Sequence, residues 1–131
     1  MFNHDVINFQ VQKVPLYTDR PGAFYQVPKS IGVGIRKNDG TMLGIVSENY
    51  EVIQYDDIVS QVEEALVISG INLTDANFYT NVYSDGAQLE LRARFPAHEQ
   101  SIDDKNDTVI PEFVFRTSHN RTWANNGMMG L

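Results

Sequence analysis

Alternating apolar and polar positions predict a β-hairpin near the start of the chain. Ile31, Val33 and Ile35 alternate with other residues, and a second apolar run follows over residues 42–46. Between the two runs stands Asn38-Asp39-Gly40, a turn sequence that tolerates positive φ. Glycines 32, 34 and 44 do not form a phosphate-binding loop, because no Gly-Lys-Ser/Thr follows them and no helix begins there.

A second hairpin is predicted further along the chain. Residues 77–83 and 87–95 flank the turn sequence Ser84-Asp85-Gly86. Since side chains alternate along a strand, the second of these strands has one apolar face and one polar face. The apolar face comprises Leu89, Leu91, Ala93 and Phe95, and the polar face comprises Gln88, Glu90, Arg92 and Arg94.

Helical periodicity predicts one main helix over residues 56–69. Apolar or small side chains recur at helical spacing, at Ile58, Val62, Ala65, Leu66 and Ser69. We expect this stripe to pack on a sheet, with Gln61, Glu63 and Glu64 facing water. The adjacent acids Asp56 and Asp57 suit the N-terminal end as caps, and Gly70 suits the C-terminal end.

The remaining segments complete an α+β prediction. Residues 1–30 contain three prolines and are expected to be extended rather than helical, whereas residues 98–107 are expected to form a mobile acidic loop. A last strand over 108–117 should begin at Pro111 or lie at a sheet edge, because proline donates no ladder hydrogen bond. The order predicts one α+β domain over residues 1–131, an antiparallel sheet of hairpins with one helix packed on it. Its body spans residues 31–131.

Composition restricts the classes of protein that fit. The chain has 131 residues, a formal net charge of −7 and no cysteine, which excludes disulfides and thiolate metal sites. No apolar run is long enough to span a bilayer and no secretory signal is evident, so a cytoplasmic location is expected. Residues 1–37 carry five Lys or Arg against two acids, while residues 38–91 carry ten acids and no Lys or Arg. This division argues against nucleic-acid binding over the whole surface but allows a local basic patch.

One segment, "FRTSHNRTW" over residues 115–123, concentrates basic and aromatic side chains. If the last strand pairs beside the preceding one, the arginines of both strands share the solvent face of the sheet. Basic groups beside an aromatic ring are what single-stranded nucleic acid requires, namely phosphate contact and base stacking. The candidate nucleic-acid-binding residues are therefore Arg92, Arg94, Arg116, His119, Arg121 and Trp123, with Tyr83 as a second stacking ring. The alternative is that Arg92 and Arg94 pair with Glu90, Glu112 or the acidic loop, and that Trp123 belongs to the core.

Enzymatic chemistry is not expected from the residues present. His4, His98 and His119 lack metal-ligand spacing, so no metal site is predicted. Ser118 and His119 are neighbours on an extended segment whose side chains point apart, and no acid partner is evident. No catalytic residue, metal or cofactor is therefore assigned.

Three segments carry a resemblance to a known family. "DGTMLGIVSENYEVIQYDDIVSQVEEAL", "GAQLELRARFP" and "FRTSHNRTW" together resemble the phage/plasmid-like proteins of domain-of-unknown-function family 932. The matching positions are Gly40, Leu43, Gly44, Val46, Tyr50, Val52, Gln54, Phe95, Pro96, Ser118, His119 and Asn120. Family members continue beyond the Ser-His segment, so this chain is expected to be a shortened member or an N-terminal portion. The family has no established activity, and its setting implies a role in mobile-element DNA metabolism.

These observations favour a non-enzymatic phage-type protein that binds single-stranded nucleic acid. The alternative is a protein-interaction domain whose acidic helix face meets a host or phage partner. Self-association is also expected, through an edge strand near residues 108–116 that would tie down the apolar C-terminal end.

Overall fold

The computed structural model describes residues 1–20, 23–102, 107–120 and 126–130. Within these ranges the chain forms eleven strands and one α-helix, with single 3-10 turns at His4–Ile7, Ser84–Gly86 and Pro96–His98. In chain order the elements are β1 Val11–Val14, β2 Tyr17–Arg20, β3 Ala23–Gln26, β4 Val33–Lys37, β5 Met42–Val46, α1 Tyr55–Ile68, β6 Asn77–Tyr83, β7 Gln88–Arg94, β8 Gln100–Ile102, β9 Asp107–Val109, β10 Glu112–Ser118 and β11 Asn126–Gly130.

The strands form two main sheets and two separate hairpins, all with antiparallel pairing. A three-stranded sheet has the order β1-β4-β5, and a four-stranded sheet has the order β11-β10-β7-β6. The hairpins β2-β3 and β8-β9 each stand apart from these sheets. This is the predicted α+β class, with sheets built from hairpins and one helix among the described residues.

Both predicted turns connect the strands as the sequence indicated. Gly40, at φ +95°, follows β4, and the Lys37 amide donates to the Thr41 carbonyl across the turn. After β6 three successive residues have a positive φ angle: Ser84, Asp85 and Gly86, the last with φ +109°. A Cβ at Gly86 would stand 2.8 Å from the Phe9 ring, so glycine is required there for both conformation and space.

Helix α1 begins one residue before the predicted start and ends at Ile68. Its N-cap is Gln54, whose side chain makes no capping bond and instead pairs with the backbone N–H and C=O of Val11, both at 2.9 Å. Asp56 and Asp57 lie in the first turn, where carboxylates favour the helix dipole, and Gly70 follows the helix at φ +76°.

The larger core lies between α1 and the four-stranded sheet. The inward side chains of β7 are Leu89, Leu91 and Ala93; these and Phe95 just after the strand are fully buried, which confirms the predicted apolar face. From the helix, Tyr55, Ile58, Val59 and Leu66 are buried in the same cluster. The three-stranded sheet contributes to a second cluster through Val11, Val33, Ile35, Leu43 and Val46.

Several details of the predicted pattern were wrong. Ser69 is exposed, and Glu63, expected to face water, is partly buried and bonds to His4 and to the Phe2 amide. Ala65 is exposed, because the buried stripe turns towards Tyr55 and Val59 rather than towards the predicted side of the helix. Ile31 is 75% exposed, because β4 begins only at Val33 and Ile31 ends a turn instead.

The end of the chain also differs from the expectation. The segment predicted as a mobile loop contains the short hairpin β8-β9, although residues 103–106 lie outside the described part. Strand β10 begins directly after Pro111, as predicted, but it is not an edge strand, because β7 pairs on one side of it and β11 on the other. The backbone of residues 126–130 is therefore held by the chain itself.

Candidate nucleic-acid interface

The four-stranded sheet has a face turned away from the helix, here called the outer face. On β6, Phe78 and Val82 pack against the core, so the alternate residues Asn77, Tyr79, Asn81 and Tyr83 point the other way. Register extends this face across β7 and β10, since residues directly opposite in antiparallel strands share a side. Its described members are Asn77, Tyr79, Asn81, Tyr83, Gln88, Glu90, Arg92, Arg94, Glu112, Val114, Arg116 and Ser118.

An ion network occupies the middle of the outer face. Glu90 receives hydrogen bonds from the Nε of Arg92 and from the Nε of Arg116, each at 2.8 Å. Arg92 also donates from Nη1 to Glu112, at 3.0 Å. The sheet register explains this, because Arg116 lies opposite Glu90 and Arg92 is two residues further along the same strand.

The network keeps Glu90 ionised although the residue is only 5% exposed. Burial of the carboxylate raises its pKa, but the hydrogen bonds from Arg92 and Arg116 outweigh this, and the pKa lies below its ordinary value. The hydrogen bond to Glu90 correspondingly raises the pKa of Arg92. Arg92 is therefore paired with acids, as the alternative interpretation of the sequence anticipated, whereas the pairing of Arg116 with Glu90 was not anticipated.

Arg94 differs from these two arginines. It is exposed, and its side chain has no ion pair or hydrogen bond within the described part of the chain, so it pairs with neither Glu90 nor Glu112. It lies opposite Asn77 on one neighbouring strand and Glu112 on the other. With three arginines against two glutamates, the described outer face has a net charge of +1, in a chain whose net charge is −7.

Two tyrosine rings flank the arginines. Tyr79 is 45% exposed and Tyr83 is 43% exposed. Tyr79 lies directly opposite Arg92 in the sheet register, and Tyr83 lies opposite Gln88. The sequence interpretation named Tyr83 but missed Tyr79, although the hairpin alternation that identified the apolar face of β7 also assigns Tyr79 to the outer face.

His119 is not on this surface. Its ring is 1% exposed and stacks on the ring of Tyr55, with the ring centroids 4.1 Å apart and the planes inclined by 14°. Burial lowers its pKa to about 4. The sequence prediction that His119 contacts nucleic acid is therefore wrong, because the residue is buried beneath this surface.

The segment around His119 instead joins the two sheets. The His119 amide donates to the Ala87 carbonyl at 2.7 Å, and the Tyr50 hydroxyl donates to the Ser118 carbonyl at 3.2 Å. A Cβ at Gly44 would stand 2.8 Å from the Cβ of Asn120, so β5 passes very close to this segment. Five of the residues that carried the family resemblance thus meet at one junction: Gly44, Tyr50, Ser118, His119 and Asn120.

The other two predicted site residues, Arg121 and Trp123, lie outside the described residues. Among the residues that are described, no helix is long and apolar enough to cross a membrane.

Comparisons with known proteins give no match: no family model, no curated protein and no solved structure corresponds to the chain. The resemblance to domain-of-unknown-function family 932 therefore depends on the quoted residues alone and stays a prediction.

Proposed function

We propose that the chain binds single-stranded nucleic acid across the outer face of the four-stranded sheet. The observation that supports this is the exposed ring of Tyr79 on the outer face, directly opposite Arg92 in the sheet register, with Tyr83 further along the same strand. Open antiparallel sheets with aromatic rings on one face bind unpaired bases by stacking, and neighbouring cations contact the phosphates.

The net charge of +1 on the described outer face predicts a small electrostatic contribution to the binding free energy. Arg94 is the cation with no competing acid partner among the described residues, so it is the first expected phosphate contact. Arg92 and Arg116 are held by Glu90, and both guanidiniums stay partly exposed on the outer face. We therefore expect stacking to supply more of the affinity than phosphate contact.

The proposed setting is that of a phage or mobile element, where such a domain contributes to DNA metabolism without catalysis. This part of the proposal rests on the family resemblance. Arg121 and Trp123 keep their predicted roles as a further cation and a further ring, because they follow β10 directly in the sequence.

The test is fluorescence anisotropy with labelled 20-nucleotide oligo-dT and oligo-rU and with a duplex of equal length, across salt concentrations. We expect both single strands to bind more tightly than the duplex. Tyr79→Ala should weaken binding by about 1–3 kcal/mol with the salt slope unchanged. Arg94→Ala should instead reduce the slope of log K against log salt by about 0.7, as for one lost single-strand phosphate contact.

Matched controls are available elsewhere on the surface. Tyr17 is 59% exposed on a separate hairpin, so Tyr17→Ala should leave binding unchanged. Trp123→Ala tests the residue predicted from sequence alone. The proposal is refuted if the wild type fails to bind either single strand at low salt, or if Tyr17→Ala weakens binding as much as Tyr79→Ala.

A further inference from the structure

A side-chain amide lies between the two exposed tyrosine rings of the outer face. Asn81 is two positions from Tyr79 and two positions from Tyr83 on β6, so strand alternation places all three side chains on the same side of the sheet. Asn81 is half-buried, and its side chain makes no hydrogen bond among the described residues. An amide has two N–H donors and a carbonyl acceptor, and leaving such groups unpaired away from water costs free energy. A ligand that lies on the two rings would therefore gain by bonding this amide.

The distance between the rings determines how a single strand crosses Asn81. Tyr83 follows Tyr79 by four positions, which is roughly 13 Å along an extended strand. Successive nucleotides of a stacked strand rise by only about 3.4 Å. A single strand with one base on each ring thus has at least one further nucleotide between them. That intervening nucleotide passes over Asn81.

The neighbouring strand favours a base rather than a phosphate over Asn81. In the sheet register Asn81 lies opposite the carboxylate residue Glu90, whereas Arg92 and Arg94 lie opposite the outer-face residues that precede Asn81 on β6. The cation contacts for phosphates are therefore found towards the start of β6. Since no cation of β7 lies directly opposite Asn81, the intervening nucleotide gains more by turning a base edge to the amide than by turning its phosphate there.

The hydrogen-bonding pattern of an amide matches that of adenine. The amide carbonyl accepts one hydrogen bond while the NH2 group donates another, so the best partner is a base edge with a donor beside an acceptor. In a single strand both edges of a base are free. The N6 amino group of adenine stands between two ring-nitrogen acceptors, N1 and N7, so adenine offers such a pair on each edge. Guanine has only acceptors on its N7 edge, and the pyrimidines offer such a pair only on the Watson–Crick edge.

We propose that Asn81 selects adenine at the nucleotide between the two stacked bases. The Asn81 carbonyl accepts from the N6 amino group, and the Asn81 NH2 group donates to the adjacent ring nitrogen. The inference rests on the proposed single-strand binding, to which it adds the preferred base and the residue that selects it. Tyr79 and Tyr83 supply stacking, which tolerates any base, so Asn81 is the residue of this group that distinguishes one base from another.

The test is competition at low salt between the labelled 20-nucleotide oligo-dT and unlabelled pentamers, whose five nucleotides reach both rings even when stacked. One pentamer has adenine at its centre and the other has purine, which lacks the 6-amino group; the remaining positions are thymine. Because the two central bases have the same ring system, the comparison reports the hydrogen bonds of the amino group. We expect the wild type to bind the adenine pentamer roughly three- to tenfold more tightly, since the amide is only half-buried and other registers compete.

Asn81→Ala should abolish this preference, so that both pentamers bind with equal affinity. Asn77→Ala is the matched control, because Asn77 is an exposed asparagine on the outer face of the same strand but lies outside the pair of rings. It should keep the wild-type preference. Tyr79→Ala should weaken the binding of both pentamers and keep the preference for adenine, because it removes stacking and leaves the amide. Circular dichroism checks that each variant keeps the fold.

Equal affinity of the wild type for the two pentamers overturns the assignment but leaves single-strand binding in place, since the 20-nucleotide strand still binds. A preference that survives in Asn81→Ala also overturns it, and so does one that Asn77→Ala abolishes equally. Pentamers that fail to compete although the longer strand binds have the same consequence. If the 20-nucleotide strand itself does not bind at low salt, the proposed function fails and this inference fails with it.

Discussion

Among individual residues, His119 and Tyr55 form a buried polar pair that lacks hydrogen bonds. Within the described structure, neither ring nitrogen of His119 nor the Tyr55 hydroxyl has a partner. An unsatisfied buried polar group costs about 1–3 kcal/mol, whereas an aromatic stack contributes about 0.5–1.5 kcal/mol beyond its buried area. The pair is therefore held by the packing around it. The neutral form of His119 is the one that this environment favours.

The protonation of His119 predicts a pH dependence of stability. Burial lowers its folded-state pKa to about 4, below the unfolded value of about 6.5, so between these values the unfolded chain binds more protons. The effect of His119 on stability should thus be absent above pH 6.5, and it should lower the free energy of unfolding by about 3 kcal/mol as the pH drops to 4. Urea unfolding of the wild type and His119→Phe measures the difference, which should disappear in the variant. His98→Gln, at an exposed histidine, is the control. Equal pH profiles for the wild type and His119→Phe would show that His119 does not titrate in this way.

The close approach of Gly44 to Asn120 predicts a specific steric coupling. In Gly44→Ala the new Cβ would stand 2.8 Å from the Asn120 Cβ and 3.3 Å from its Cα, and a backbone atom cannot move aside cheaply. We expect the free energy of unfolding to fall by about 1–3 kcal/mol. Asn120→Gly in the same chain removes the nearer atom, so it should recover part of the loss in a double-mutant cycle. Additive losses would exclude a direct contact between the two positions.

At the scale of elements, the sequence pattern predicted those features of the fold that depend on neighbouring residues. Turn residues located both hairpins, and strict alternation identified the buried face of β7. Two errors have one origin, which is that tertiary packing decides which side of an element is covered. The helix buries Tyr55 and Val59 and leaves Ala65 exposed, and β11 pairs with the side of β10 that the self-association prediction left as a free edge.

The helix provides a direct comparison of a buried and an exposed neighbour. Leu66 is 5% exposed within the main core, so Leu66→Ala should reduce the free energy of unfolding by about 2–5 kcal/mol. An apolar cleft of about 250 Å³ borders Leu66, so the neighbouring side chains can relax into the vacated space, which favours the lower part of this range. Ala65→Ser, next to it but exposed, should change stability by no more than about 0.5 kcal/mol. Urea denaturation of both variants provides the measurement, and similar losses at the two positions would contradict the observed orientation of the helix.

At the scale of the whole molecule, the fold brings together charged residues that lie far apart in the sequence. The division into a basic start and an acidic middle is visible in the composition. The sequence allowed Arg92 to pair with Glu90, but it could not show that Arg116, 26 residues away, would bond the same carboxylate. The same limit applies to His4, whose two acidic partners lie on α1. Such pairings depend on sheet order and helix placement, which local patterns leave open.

His4 ties the start of the chain to the helix and predicts a pH dependence opposite to that of His119. Its Nδ1 and Nε2 lie 2.8 Å from carboxylate oxygens of Asp56 and Glu63, so the doubly protonated ring bonds both. The hydrogen bond to Asp56, followed by that to Glu63, raises the pKa of His4. Because the folded-state pKa exceeds the unfolded value of about 6.5, the stabilisation is complete below pH 6.5 and is lost as the pH rises through the folded-state pKa.

His4→Gln should therefore reduce the free energy of unfolding more at pH 6 than at pH 9. Asp56→Asn is the matched variant, since it removes one of the two carboxylates and should decrease the pH effect without removing the histidine. In a chain that carries both His4→Gln and His119→Phe, the two opposite dependences should vanish together, leaving the carboxylates to determine the acid limb of the stability curve. A loss for His4→Gln that is equal at pH 6 and pH 9 would mean that the His4 contacts stabilise the protein by packing and not by charge.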